Sequence, residues 1–275
     1  MKNVLRVLAL AAFVCSATSA HATPSTVFWT PATTYVQPYT VPHITYDTYV
    51  AERSGLQNTY GLTLGVLPFE KLQGEFGIDS FLPGLQASNV FLNAKLGVPE
   101  GAFGEWFPGI SAGIYALGFK SDVSDFDILH AEIGKTFPVI GNLTVGGYYG
   151  LNSKLMVSST GETQQGGFMA SWTSPDINIG VTGLNKIIFL ADVQTGDNAF
   201  GAAGGGIGIY FTPSIDILTG PVFFFDKNAT TQLPGPGFST FSRPDWLWSV
   251  QLDVDFDLRP AKPAPVTAPV TPPKA

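Results

Sequence analysis

From Trp246 to Leu258 the even positions are Trp246, Trp248, Val250, Leu252, Val254, Phe256 and Leu258, while the odd ones from 249 are Ser249, Gln251, Asp253, Asp255 and Asp257. Alternation this strict makes an extended strand whose two faces meet different media. A strand in a soluble sandwich runs about 5 to 6 residues, whereas a tilted strand crossing a bilayer needs about 9 to 11. The length favours the second.

Segments of the same kind recur upstream, each bounded by turn chemistry: 43–51, 58–67, 71–81, 89–98, 109–119, 126–136, 141–152, 163–173, 184–194, 200–211, 214–225 and 245–258. The fifth is apolar on both faces, and 176–183, before the ninth, could itself be strand. The even count predicts an all-β fold, a transmembrane antiparallel β-barrel of about twelve strands. In hydrocarbon an unpaired backbone N–H or C=O has no water to bond, so a spanning sheet must close on itself. Outer-membrane barrels place short turns on the periplasmic side and longer loops outside. Connectors two, six, eight and ten fit that rule with Pro68-Phe69-Glu70, Pro138 to Gly141, Ser174-Pro175-Asp176 and Thr212-Pro213-Ser214, whereas the fourth, Pro99 to Pro108, breaks it by being long. Outward connectors three, five, seven and eleven run longer.

Composition removes the main rivals. Only 13% of the residues are charged, against about 25% in a typical soluble domain, and the mean hydropathy is positive, which excludes a disordered chain over most of the length. Beyond the N-terminus every apolar run is cut within a few positions by Gly, Pro, Asp, Asn or Thr, so a helical membrane bundle is excluded too. The glycines of the tenth segment, Gly201, Gly204, Gly205, Gly206 and Gly208, would weaken an ordinary strand but permit curvature or relieve crowding inside a barrel. Trp246, Trp248, Phe223 and Phe225 fall at the outer strand ends, and Trp172, Phe211 and Phe256 toward the periplasmic ends, as a lipid-facing interfacial girdle would.

The first 22 residues carry Lys2 and Arg6, an uncharged run from Val7 to Cys15, and small residues ending Ala20-His21-Ala22. That is a secretory signal with an A-x-A cleavage site, too short in its apolar core to span. Cleavage leaves a mature chain from Thr23 with no cysteine, which removes disulfides, thiolate catalysis and Cys-type metal sites. Of the 14 Lys and Arg, 12 then remain against 21 Asp and Glu, a formal charge of −9. Nucleic acid, bound through basic patches, is excluded as a partner.

With the signal peptide, the Gly206 to Leu218 hairpin and the closing strand ending Val254-Asp255-Phe256-Asp257-Leu258 in view, the chain resembles the Gram-negative outer-membrane β-barrels, in particular the small porin-like transporters. The resemblance covers residues 43–258. It implies an outer-membrane location, lipid and lipopolysaccharide as surroundings, and the outer-membrane assembly machinery as a partner. In that family the last strand commonly ends the chain on an aromatic residue, whereas here Phe256 is followed by a tail.

Four parts follow: a signal peptide at 1–22, an N-terminal periplasmic or lumen segment at 23–42, the barrel at 43–258 and a tail at 259–275. Six prolines in the tail favour an extended, disordered periplasmic segment, with a contact to the cell wall or a periplasmic partner as the alternative. In 23–42, prolines 24, 31, 38 and 42 deny a regular strand, while Phe28, Trp29, Tyr35 and Tyr39 argue against a free tail. Such a segment would tuck into the barrel mouth.

Enzymatic chemistry finds little support. Gly109-Ile110-Ser111-Ala112-Gly113 matches G-x-S-x-G, but no helix follows to form the strand-to-helix elbow that motif needs. The twelve-stranded outer-membrane phospholipases use a short His-to-Ser spacing; two residues after His130 stands Glu132. His130 and Glu132 share one face of the sixth strand and read as members of the polar network of a wet lumen, and three histidines in the precursor argue against a His-based metal site. Neither catalysis nor a cofactor is expected. The inward faces of the strands collect Asp47, Glu75, Asp79, Glu132, Asp192, Asp216, Asp253, Asp255 and Asp257 against Lys95. Confined charge of one sign concentrates counter-ions. The expected function is a porin-like channel for small cationic or neutral solutes. A closed structural or surface-interaction barrel is the alternative, and a lipid-modifying enzyme comes third.

Overall fold

The structure, a computed structural model, describes residues 26–51, 57–82, 90–226 and 245–257. The signal peptide, the tail and most of connectors one, three and eleven lie outside the described residues.

Twelve strands follow one another in chain order: β1 (Pro42–Val50), β2 (Gln57–Gly65), β3 (Gln73–Leu82), β4 (Val90–Val98), β5 (Gly109–Leu117), β6 (Ile128–Phe137), β7 (Gly141–Gly150), β8 (Gly166–Thr173), β9 (Lys186–Gln194), β10 (Ala202–Thr212), β11 (Ile215–Phe224) and β12 (Trp246–Asp255). Each pairs antiparallel with its neighbours in sequence, and β1 pairs with β12 from His43↔Asp255 to Val50↔Trp248, so the sheet closes with no free edge. The twelvefold reading of the sequence and its antiparallel order both hold. Strand ends differ from expectation by a few residues. Residues 176–183 are not strand, apart from a single bridge between Ile177 and Ile187, so connector eight spans 174–185 and is long. The ladder between β4 and β5 shifts register between Leu92 and Ala94, which accounts for the blurred alternation of the fifth segment: a bulge puts two residues of one strand opposite one of the other.

The side chains sort cleanly by parity. Leu62, Leu64, Ile78, Leu129, Ile133 and Val145 stand on the outer face and are exposed, as are Phe211, Phe223, Phe225, Trp246, Trp248 and Phe256 of the expected girdle. Trp172 is half-buried on the same face, its indole N–H donating to the Ile140 carbonyl at 2.7 Å. We call the rim where β1 begins and β12 ends the lower rim, and the opposite one the upper rim.

The interior is not open. Residues 26–41 enter the barrel rather than resting at its mouth, and Phe28, Thr30, Ala32, Val36, Gln37 and Val41 are buried there. The segment makes no strand. It begins high in the lumen, descends, and leaves at the lower rim, where the Thr40 N–H donates to the Gly65 carbonyl at 3.0 Å before the chain turns up into β1. Glycines of the wall make room for it, among them Gly65, Gly97, Gly109 and Gly204. A Cβ at Gly65 would lie 2.0 Å from the Pro38 carbonyl oxygen, and one at Gly204 would lie 2.9 Å from Phe28 Cδ1. Close approach of plug to wall, rather than strand curvature alone, is thus what Gly204 serves.

Candidate functional site

The plug is held mainly by side chains of the wall, not by ladder bonding. The N–H groups of Phe28, Trp29 and Thr30 all donate to Asp192 Oδ2, at 2.9, 2.8 and 2.8 Å. Gln251 Nε2 donates to the Phe28 carbonyl at 2.7 Å, and the Trp29 indole N–H to the Phe200 carbonyl at 3.2 Å. Further down, Ser171 Oγ donates to the Ala32 carbonyl at 2.6 Å and Ser111 Oγ approaches the Thr33 carbonyl at 3.2 Å. At the bottom the Gln37 N–H donates to Glu75 Oε2 at 2.6 Å, and Gln37 Nε2 donates to Asp255 Oδ1 at 2.9 Å. Of these residues Asp192, Gln251, Ser171, Ser111, Glu75 and Asp255 lie on the inward rows of their strands, whereas Phe200 belongs to the connector between β9 and β10. A chain without ladder partners needs such acceptors, because a buried backbone N–H left unbonded is costly.

The upper half of the lumen is apolar. Phe91, Ile128, Tyr148 and Met169 of the wall close on Ala32 of the plug, and Phe126 and Met156 fold in from connectors 118–127 and 151–165. Phe200, from connector 195–201, stacks edge-on against Phe126 and Tyr115, with centroids 5.0 and 5.9 Å apart. Beside this cap Trp29 meets Phe224 and Tyr49 edge-on at 5.2 and 6.0 Å. The wet, polar lumen expected around His130 and Glu132 therefore does not extend to the upper half, which the plug and three connectors turn into a packed core. Outside the strands, partial burial raises the Asp127 carboxyl above its ordinary range despite the N–H of Gly118 bonded to it, with Asp125 nearby adding to the rise.

The lower half is charged. His43 stands between two carboxylates of β12, Nδ1 2.9 Å from Asp255 Oδ1 and Nε2 3.5 Å from Asp253 Oδ1. Lys95 Nζ lies 3.3 Å from Glu75 Oε1. Asp216 pairs across the ladder with Asp253, and neither of its oxygens has a hydrogen-bond partner among the described residues. Nearer mid-height, Asp79 Oδ2 accepts from Asn93 Nδ2 at 2.5 Å and Asp47 Oδ2 accepts from the Tyr49 hydroxyl at 3.2 Å. Among the described residues no group of three His, Cys, Asp or Glu side chains is placed to hold a metal ion.

Of the carboxylates expected to face inward, Asp47, Glu75, Asp79, Glu132, Asp192, Asp216, Asp253 and Asp255 all do, and so does Lys95; Asp257 lies beyond the end of β12 and is half-buried. They do not form one ring. Glu75, Lys95, Asp216, Asp253 and Asp255 gather below, Asp192 holds the plug, and Asp47 and Asp79 accept hydrogen bonds from the neutral Tyr49 and Asn93. Lys186 is a second inward base beside Lys95, on the inward row of Ile188, Leu190 and Asp192; its Nζ lies 2.8 Å from Asp176 Oδ1 and 4.6 Å from the Tyr210 ring centre. The polar parity of Ser111, Ser171 and Gln251 was a readable signal for plug contacts, whereas nothing in the sequence marks Gln37.

Ser111, Glu132 and His130 do meet. Ser111 Oγ donates to Glu132 Oε2 at 2.7 Å, and His130 Nδ1 lies 2.5 Å from Glu132 Oε1. The order is wrong for a triad, which needs the imidazole between the hydroxyl and the carboxylate. Here the carboxylate sits between, bonded to the serine on one oxygen and to the imidazole on the other, and all three residues are buried.

No family model and no curated protein matches the sequence. Several solved structures resemble the barrel, among them the following two. The NanC porin aligns over 79% of this chain and 100% of its own, at 7% identity and a TM-score of 0.45. An outer membrane channel from Pseudomonas putida F1 aligns over 81% of this chain and 97% of its own, at 10% identity and a TM-score of 0.41.

Proposed function

We propose that the protein is an outer-membrane channel for small cationic or neutral solutes, closed at rest by its own residues 26–41. A closed sheet that is apolar outside and edgeless is the form a strand protein needs in hydrocarbon, and the lower rim then faces the periplasm. The observation that carries the reading is the way the plug is fastened. Apart from a single backbone bridge to Gly65 at the lower rim, its hydrogen bonds to the wall run through individual side chains, chiefly three on the single oxygen Asp192 Oδ2, so it can leave without breaking the barrel ladder. The wall it would uncover is rich in carboxylates with few bases among them, a field that draws cations and repels anions.

Planar-bilayer recording tests this. Wild-type protein is expected to be closed for most of the record. Gly204→Leu, whose side chain takes the space of Phe28, is expected to open it to a current that prefers K⁺ over Cl⁻ under a salt gradient. An open G204L barrel preferring Cl⁻ would contradict the charge argument, and one that never conducts would favour a second reading, a permanently filled structural barrel. The apolar packing of Val27, Phe28 and Ala32 against the wall is the feature that favours that rival.

A further inference from the structure

We propose that the seat occupied by Phe28 and Trp29 is a binding site for aromatic amines, small solutes with a primary ammonium group on an apolar ring; this rests on the channel reading above. The plug displays what the seat recognises. Asp192 offers an acceptor, Gln251 a donor, and Tyr49 and Phe224 present ring faces and edges to the Trp29 indole. Ala202, Leu190 and Leu247 complete an apolar lining.

The plug satisfies this seat incompletely. Its three N–H groups all fall on Asp192 Oδ2, while Oδ1, equally buried, has no hydrogen-bond partner, and no salt bridge reaches Asp192 among the described residues. A buried carboxylate favours a charged partner, and an ammonium brings three donors together with the missing positive charge. The rings of Tyr49 and Phe224 add a cation–π surface. A solute of this class therefore makes interactions at Asp192 that the neutral backbone cannot. It would displace the plug by binding only the unplugged form, since a ligand shifts an equilibrium by its differential affinity for the two states.

The test uses the full-length protein in detergent and tryptamine as the probe. Phe28→Ala with Trp29→Ala empties the ring positions and leaves the wall intact. This variant is expected to bind tryptamine saturably by titration calorimetry, at least tenfold more tightly than wild type. Adding Asp192→Asn, or replacing tryptamine by the uncharged 3-methylindole, is expected to weaken binding at least tenfold. Folding is read from heat-modifiable gel migration; should the double variant not fold, Phe28→Ala alone serves in the same comparison. No saturable binding to the folded variant, or binding indifferent to D192N, overturns the site. Current recorded from the same preparations separates the two readings: current without tryptamine binding leaves the channel and sinks the site, while binding without current leaves the site and sinks the channel.

Discussion

The two halves of the lumen have the same strand geometry and opposite chemistry. Above, Ile128, Met156 and Met169 are fully buried in an aromatic and aliphatic cap. Below, His43, Glu75, Lys95, Asp216, Asp253 and Asp255 are equally buried, yet as charged and hydrogen-bonding groups. The plug threads both. Its upper end is held by packing and by Asp192, and its lower end by hydrogen bonds to Glu75 and Asp255. The difference teaches that parity along a strand tells which side chains face in, but not what they meet there. That is decided by a segment of sixteen residues, 26–41, which makes no ladder with the strands on either side of it.

The comparison can be broken at the latch on the upper end of the plug. Asp192→Ala leaves the N–H groups of Phe28, Trp29 and Thr30 without their acceptor, and hydrogen bonds to a charged group contribute about 1.5–3 kcal/mol each. The open fraction in bilayer recordings is expected to rise more than tenfold. Next in size is the cap. Ile128→Ala or Met169→Ala removes a fully buried side chain and is expected to lower barrel stability by about 2–5 kcal/mol, read as an earlier urea midpoint in detergent, with ion preference unchanged. A midpoint that does not move would mean the upper half is not a packed core.

The lower half answers in selectivity instead. In the G204L background, Asp253→Asn with Asp255→Asn keeps the hydrogen bonds to His43 within reach of an amide oxygen and removes two charges. The reversal potential under a KCl gradient is expected to move toward that of an unselective pore, whereas Ile128→Ala leaves it in place.

The smallest effect lies outside the lumen. Partial burial pushes the Glu100 carboxyl up, but hydrogen bonds from Lys135 and from the side chain and backbone of Thr136 outweigh it and hold the group below its usual range. A carboxyl lowered on folding stabilises above its ordinary value, and that contribution is lost as pH falls through the lower, folded one. Lys135→Ala is expected to cost only about 0.2–1 kcal/mol, as exposed pairs do, and to shrink the acid-side loss of stability correspondingly.

Much of the fold is legible in the chain. The apolar alternation from Trp246 to Val254 fixes β12, and the same period places the inward carboxylates Asp192, Asp216, Asp253 and Asp255 and the outward Trp246 and Trp248. Connectors are less legible, because a turn needs only a few suitable residues: Pro175 marks the end of β8, but nothing local says that 176–183 stays out of the sheet. The plug is the least legible of all. Its prolines exclude strand and its aromatics call for burial, yet the partners of Phe28 and Gln37 are Asp192 and Asp255, 164 and 218 positions away. Contacts at that distance depend on barrel closure, which no window of sequence contains. Lys186 is the opposite case, visible in the parity of β9 and lost because strand ends are the positions where parity is read least firmly.

Site-resolved amide hydrogen exchange on the full-length protein in lipid nanodiscs tests the filled lumen most directly. The account requires the N–H groups of Phe28, Trp29, Thr30 and Gln37 to be protected as strongly as those of β10, and Asp192→Ala to abolish protection at the first three while sparing the strand. Exchange of all four at free-peptide rates in the wild-type protein would contradict it.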